Sequence, residues 1–144
     1  MKLRALKKTD IKAASQIIGK NYSKEYERKS FKELEAAFKN HAVKPQYIVA
    51  EEKGKIIGLA GYAESWMDYD IYTIFWVNVV ADRQGEGIGM ALIEKVIELI
   101  KKQNPKMILL STDKPKLYRK KFGFRSIAKF DCDGYDLMSL QIKK

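Results

Sequence analysis

The chain has 144 residues, enough for a single domain with one hydrophobic core and too few for two full domains. Hydrophobic residues make up 46% and charged residues 32%. That is a globular composition, and no run approaches the roughly 18 apolar residues of a membrane helix. The single cysteine, Cys132, excludes an internal disulfide framework and a cysteine-rich zinc site, and no metal is expected. A net charge of +10 favours an anionic partner: nucleic acid, an acidic lipid surface or a phosphate-bearing small molecule.

The N-terminal MKLRALKKTDIKAA lacks the apolar run and cleavage site of a secretory signal, so a cytoplasmic location is expected. MKLRAL alternates apolar and polar residues as a short strand does, and Thr9 and Asp10 offer N-caps for a helix through IKAASQII. Ser30 to Glu33 reads as a capping box opening a second helix, FKELEAAFKN, with Leu34, Ala37 and Phe38 on one face. QYIVAEE and KIIGLAGYA flank Gly54 as two strands of a hairpin. IYTIFWVNVV, β-branched and aromatic without a turn signal, reads as a central strand apolar on both faces.

Ile88, Leu92, Val96, Leu99 and Ile100 mark one stripe of a helix that Asn104 and Pro105 stop. KMILLST follows as a strand parallel to the central one, because a crossover helix joins them. PKLYRKKF begins on a proline and ends at Gly123, as helices do. FRSIAKF and YDLMSLQI are the last two strands. The order βααβββαβαββ implies an α+β (mixed α/β) fold, a mixed central sheet of six to seven strands flanked by about four helices.

Between the central strand and its helix lies RQGEGIGM, residues 83–90. Glycine is a poor way to start a helix unless something must approach the main chain closely. A strand, a glycine turn and a helix N-terminus together make an anion site, because unpaired first-turn N–H groups converge there and the helix dipole favours negative charge. The dinucleotide fingerprint GxGxxG fails here: Met90 or Leu92 stands where its last glycine belongs. The Walker pattern fails as well, since no GK followed by Ser or Thr occurs.

The segment does resemble the signature Q/R-x-x-G-x-G/A of the GNAT acyltransferase superfamily, through Gln84, Gly87 and Gly89. FWVNVVADRQGEGIGMALI resembles that family's run of strand, short loop, glycine turn and helix, and LYRKKFGF resembles its tyrosine-bearing helix ended by a Gly-Phe pair. The likeness is weak over the first 45 residues and strong from 47 to 124, and its order of elements agrees with the one above.

The resemblance implies one GNAT-like domain over residues 1–144 and an acetyl-coenzyme A-dependent N-acetyltransferase that acts on a primary amine by direct attack in a ternary complex. It implies that the main chain of Val77, Asn78 and Val79 pairs with the pantetheine arm. Backbone N–H groups of Gly85, Gly87, Ile88, Gly89 and Met90 would cradle the pyrophosphate, with Gln84 as the polar signature residue. Glu86 sits in the same turn, so its carboxylate must point away from the phosphates. A main-chain N–H near Val79 would stabilise the oxyanion, and Tyr118 would touch the cofactor and protonate the departing thiolate. Tyr118 lies five residues before Gly123 where relatives have four, a turn of about 100° on an ideal helix.

Thr73 stands where some relatives carry a glutamate base, which leaves Asp70 as the candidate base, with Glu64, Asp68 and Tyr72 as substitutes. The acceptor pocket is expected between the two early helices and the loop ESWMDYD, with a homodimer as an open expectation from relatives. Two other readings stand beside this one: a catalytically silent acyl-coenzyme A-binding module, and a basic nucleic-acid-binding protein. The second is disfavoured because the aromatic residues sit in apolar strands rather than among basic ones.

Overall fold

The computed structural model describes residues 1–142, and Lys143 and Lys144 lie outside it. Along the chain run β1 (Lys2–Ala5), α1 (Ile11–Asn21), α2 (Lys24–Ala36), β2 (Gln46–Glu52), β3 (Lys55–Glu64) and β4 (Ile71–Val79). There follow α3 (Ile88–Lys101), β5 (Met107–Thr112), α4 (Pro115–Phe122), β6 (Arg125–Phe130) and β7 (Tyr135–Gln141). The seven strands form one sheet in the order β1-β2-β3-β4-β5-β7-β6. β4 and β5 run parallel, while the other neighbours are antiparallel. The expected order βααβββαβαββ and mixed sheet are therefore those of the fold.

Alternation along the strands divides the core into two layers. On β2, Tyr47 and Val49 face a cluster with Ile18 and Leu34 of α1 and α2, while Ile48 and Ala50 face α3, Tyr118 and Phe124. Six residues of α3, including Leu92, Ile93 and Val96, are buried, each contributing about 1.5–3 kcal/mol. The β2–β3 hairpin turns on Lys53 (φ 51°) and Gly54 (φ 77°), the left-handed pair that a two-residue turn needs.

One of the two expected helix starts is displaced. Ser30 does not open α2: Ser23 does, its hydroxyl accepting from the Tyr26 amide at 3.2 Å. Ser30 instead lies buried in mid-helix and donates to the Glu27 carbonyl. A capping-box pattern is local, and the earlier cap wins because it adds almost two turns of hydrogen-bonded helix. Phe38 is correspondingly past the end of α2 and exposed.

α1 starts where expected, with Asp10 as its N-cap residue, although the Asp10 side chain makes no cap hydrogen bond; Thr9 and Asp10 also form a short 3-10 turn, Lys8–Asp10. The Asp10 carboxylate accepts from the Lys7 amide and from Arg4, which also pairs with Glu51. This network ties β1, β2 and the entry to α1 together. The Arg4 guanidinium hydrogen bond holds the Asp10 carboxyl below its ordinary range, against the opposing effect of burial.

Candidate active site

β4 and β5 pair only where Ile71–Thr73 face Met107–Leu109, and beyond that the two strands part. The cause lies in β4. Across β3, Leu59 faces Asn78 but Gly61 faces Phe75, so Trp76 and Val77 together oppose Ala60. This is a bulge, and Trp76 adopts φ 50°, a left-handed conformation that costs a large side chain roughly 1–3 kcal/mol. Bulges bend and twist the strand that carries them, here away from β5. The extra residue also puts Phe75 and Trp76 against the same α1–α2 layer.

The Val80 amide donates to the Ile57 carbonyl on β3, so by alternation the main-chain groups of Val79 and Val77 face the open side. The Val79 carbonyl is taken by Asn21 Nδ2 at 3.0 Å and Gln84 Nε2 at 3.1 Å. Gln84 thus fastens the glycine turn to the end of β4. Asn78 pairs with Leu59 across β3, and its side-chain oxygen accepts from Asn21 at 3.0 Å.

Gly85 and Gly87 have φ 83° and 86°, a conformation in which side chains are strained. A Cβ built on either would meet nothing within 4 Å, and one on Gly89 would meet Val79 Cγ2 at 3.8 Å. The turn is therefore bare toward the cleft rather than toward packed protein. α3 starts after Gly87 with no side-chain cap, so the amides of Ile88, Gly89 and Met90 keep their donors for an anion. Ile88 is buried in the core beneath the turn and is not among the residues that line the cleft.

The Glu86 carboxylate turns to Arg83, 2.9 Å from Nε, and Arg83 also binds Glu52 at 2.6 Å. These hydrogen bonds raise the Arg83 pKa and lower that of Glu52. Glu86 does not line the cleft, so its charge is directed away from the amides.

The parted strands, the glycine turn and α4 enclose a cleft of about 1000 Å³. Val77, Asn78, Val79, Gln84, Gly85, Gly87, Gly89, Met90 and Tyr118 all line it. The Tyr118 ring is buried, edge-on to Phe124 at 6.0 Å and tilted against Phe122 at 6.3 Å. Burial, with the nearby Asp113 charge, pushes its phenol pKa up to about 12. The one-residue offset before Gly123 therefore leaves Tyr118 on the cleft side of α4.

Asp70 does not join the site. It lies in the turn before β4, about 20 Å along the strand from the bulge by strand rise; its amide donates to Glu64 Oε2 and its carbonyl accepts from Lys106. The ESWMDYD loop shares that end of the molecule. Trp66, Met67 and Tyr69 are exposed, Asp68 pairs with Lys106, and none of these lines the cleft. Of the two early helices only the end of α1 borders it, through Lys20, Asn21 and Tyr22, and no residue of α2 does. Asn21, Tyr22, Trp76 and Tyr135 carry no motif that would reveal them, since their proximity depends on contacts more than 50 residues apart.

The acetyltransferase (GNAT) family profile matches residues 11–124. No curated protein matches the chain by sequence. Among solved structures, a GNAT-family protein from Desulfovibrio desulfuricans superposes with a TM-score of 0.83 at 16% identity, covering 97% of this chain and 98% of the other. An aminoglycoside 6'-N-acetyltransferase complexed with coenzyme A gives 0.80 at 13% identity, over 100% and 99%. A GNAT family acetyltransferase from Brucella melitensis in complex with acetyl-CoA gives 0.73 at 19%, over 99% and 88%.

Proposed function

The chain belongs to the acetyltransferase (GNAT) family, and from that premise we propose that it moves the acetyl group of acetyl-coenzyme A to a primary amine of a small molecule or protein. One observation carries the proposal: the gap between β4 and β5 runs directly into an uncapped glycine helix start within a single cleft. A long thiol-bearing arm fits the gap, and the diphosphate to which it is joined fits the amides of Gly87, Ile88, Gly89 and Met90.

Val77 and Val79 offer the arm main-chain hydrogen bonds in the manner of an added strand. When the neutral amine attacks the thioester carbonyl, the C–N bond forms and charge gathers on the carbonyl oxygen. A main-chain N–H of Val77 or Val79 stabilises that oxygen. As the C–S bond breaks, Tyr118 gives its phenolic proton to the leaving sulfur, and solvent takes the proton lost by the amine. The raised pKa suits this task, because Tyr118 stays protonated at any pH where an amine attacks.

Isothermal titration with acetyl-coenzyme A and with duplex DNA at physiological salt tests the reading. Binding of the first alone is expected, and a salt-steep signal from the second alone would overturn it. Thiol release over a panel of amines then separates a working transferase from a silent binding module.

A further inference from the structure

On the α1–α2 side of the bulge, three aromatic rings meet a carboxylate. Tyr22 ends α1, Tyr26 lies in the first turn of α2, and Trp76 is the left-handed bulge residue. Their centroids are 5.6, 6.0 and 6.5 Å apart with tilted or edge-on planes, and the two tyrosines are 51% and 41% exposed. The Trp76 indole donates to Glu33 Oε1 at 3.1 Å. Among the described residues, no cation forms an ion pair with Glu33.

We propose that this cluster is the subsite for a second ammonium group on the acceptor, so that the acceptor is an aliphatic diamine or an amine of equivalent charge spacing. The inference rests on the transferase reading for its chemistry and on the cluster itself for its binding. Ring faces carry negative potential and attract ammonium groups. The protein's own Lys29 already uses this attraction, its Nζ lying 5.8 Å from the Tyr26 centroid. The indole hydrogen bond holds the Glu33 carboxylate beside those rings. Beneath it the Tyr47 hydroxyl is buried with no hydrogen-bond partner, and burial together with the Glu33 charge raises its pKa.

Placement supplies the spacing. Trp76 and Tyr22 both line the cleft, and the Trp76 indole reaches from that lining to the Glu33 carboxylate. A nitrogen paired with Glu33 is charged and remote, whereas the attacking nitrogen is neutral and lies in the gap. The molecule that satisfies both carries two nitrogens. The strain at Trp76 then has a use, because an unbulged strand would aim that indole at the opposite layer.

The test uses cadaverine and 1-aminopentane, which differ by one amino group. In a Trp66→Phe background Trp76 is the sole indole, and its fluorescence reports binding without turnover. Cadaverine is expected to change the signal and to bind at least tenfold more tightly than 1-aminopentane. Glu33→Gln is expected to erase that preference, and Tyr26→Leu to reduce it several-fold. Equal binding of the two amines, or a preference that survives Glu33→Gln, overturns the proposal. Titration of acetyl-coenzyme A against the same preparations is read separately: its failure would count against the transferase, while the diamine preference would still stand or fall on the fluorescence.

Discussion

Gly89 separates two effects that are confounded at its neighbours. At Gly87 any side chain is strained by φ 86°, so lost binding there could reflect a distorted turn. Gly89 lies in α3 with ordinary space around a Cβ, and alanine is about 1 kcal/mol the better helix former. Gly89→Ala is therefore expected to hold or raise the Tm while acetyl-coenzyme A affinity falls at least about tenfold, ~1.4 kcal/mol, by calorimetry. Tyr118→Phe keeps the ring packing and removes only the proton donor, so kcat should fall about a hundredfold with coenzyme affinity retained. The acid form of Tyr118 persists below its pKa of about 12. The wild-type kcat should thus show no descending limb from this group across the neutral and moderately alkaline range, which a pH–rate profile checks.

At the scale of elements, the site depends on how β1, β2 and α1 are joined, since α1 delivers Asn21 to the end of β4. Arg4, Asp10 and Glu51 form that joint with little solvent around Asp10. Asp10→Asn leaves Arg4 short of one partner and should cost about 2 kcal/mol at neutral pH by chemical denaturation, less than for a fully buried pair. The Arg4 hydrogen bond holds the folded-state pKa of Asp10 below its ordinary value. Its contribution is therefore complete above the unfolded value and is lost as pH falls through the folded one, so the gap between wild type and variant should close in acid. Elements formed by local chemistry stand where the sequence puts them: the hairpin at Gly54, α3 ending at Lys101 shortly before Asn104, and α4 from Pro115 to its cap at Gly123. Ser30 misleads because a capping pattern says nothing about which of two caps tertiary burial favours.

Across the whole molecule, the charge of +10 is spread along the chain, and part of it lies at the cleft, beside Asp113. Lys20 and Lys114 line it, and Arg119, Lys120 and Lys121 close α4. Such a field steers an anionic cosubstrate over several ångströms and is screened within a Debye length of about 10 Å at 0.1 M salt. The association rate of acetyl-coenzyme A should fall roughly tenfold between about 20 mM and 500 mM salt, with dissociation much less affected, in stopped-flow measurements. Of the basic residues read in the sequence as a general preference for anions, the fold sets Lys20 and Lys114 at the cleft itself.

The sequence by itself determined the order of elements, the family, the glycine turn and the cleft position of Tyr118. Each is written in spacing of a few residues, over which backbone propensity and helix geometry act directly. Only the tertiary structure decided that Asp70 lies at the wrong end of β4, that Trp76 breaks the strand, and that Glu33, Tyr22 and Tyr26 gather around it. IYTIFWVNVV contains no glycine or proline to announce a bulge. The left-handed residue is stabilised by what surrounds it, by Gly61 admitting the Tyr47 and Phe75 rings and by α2 receiving the indole. Contacts of that kind join residues far apart in the chain, and no local pattern encodes them.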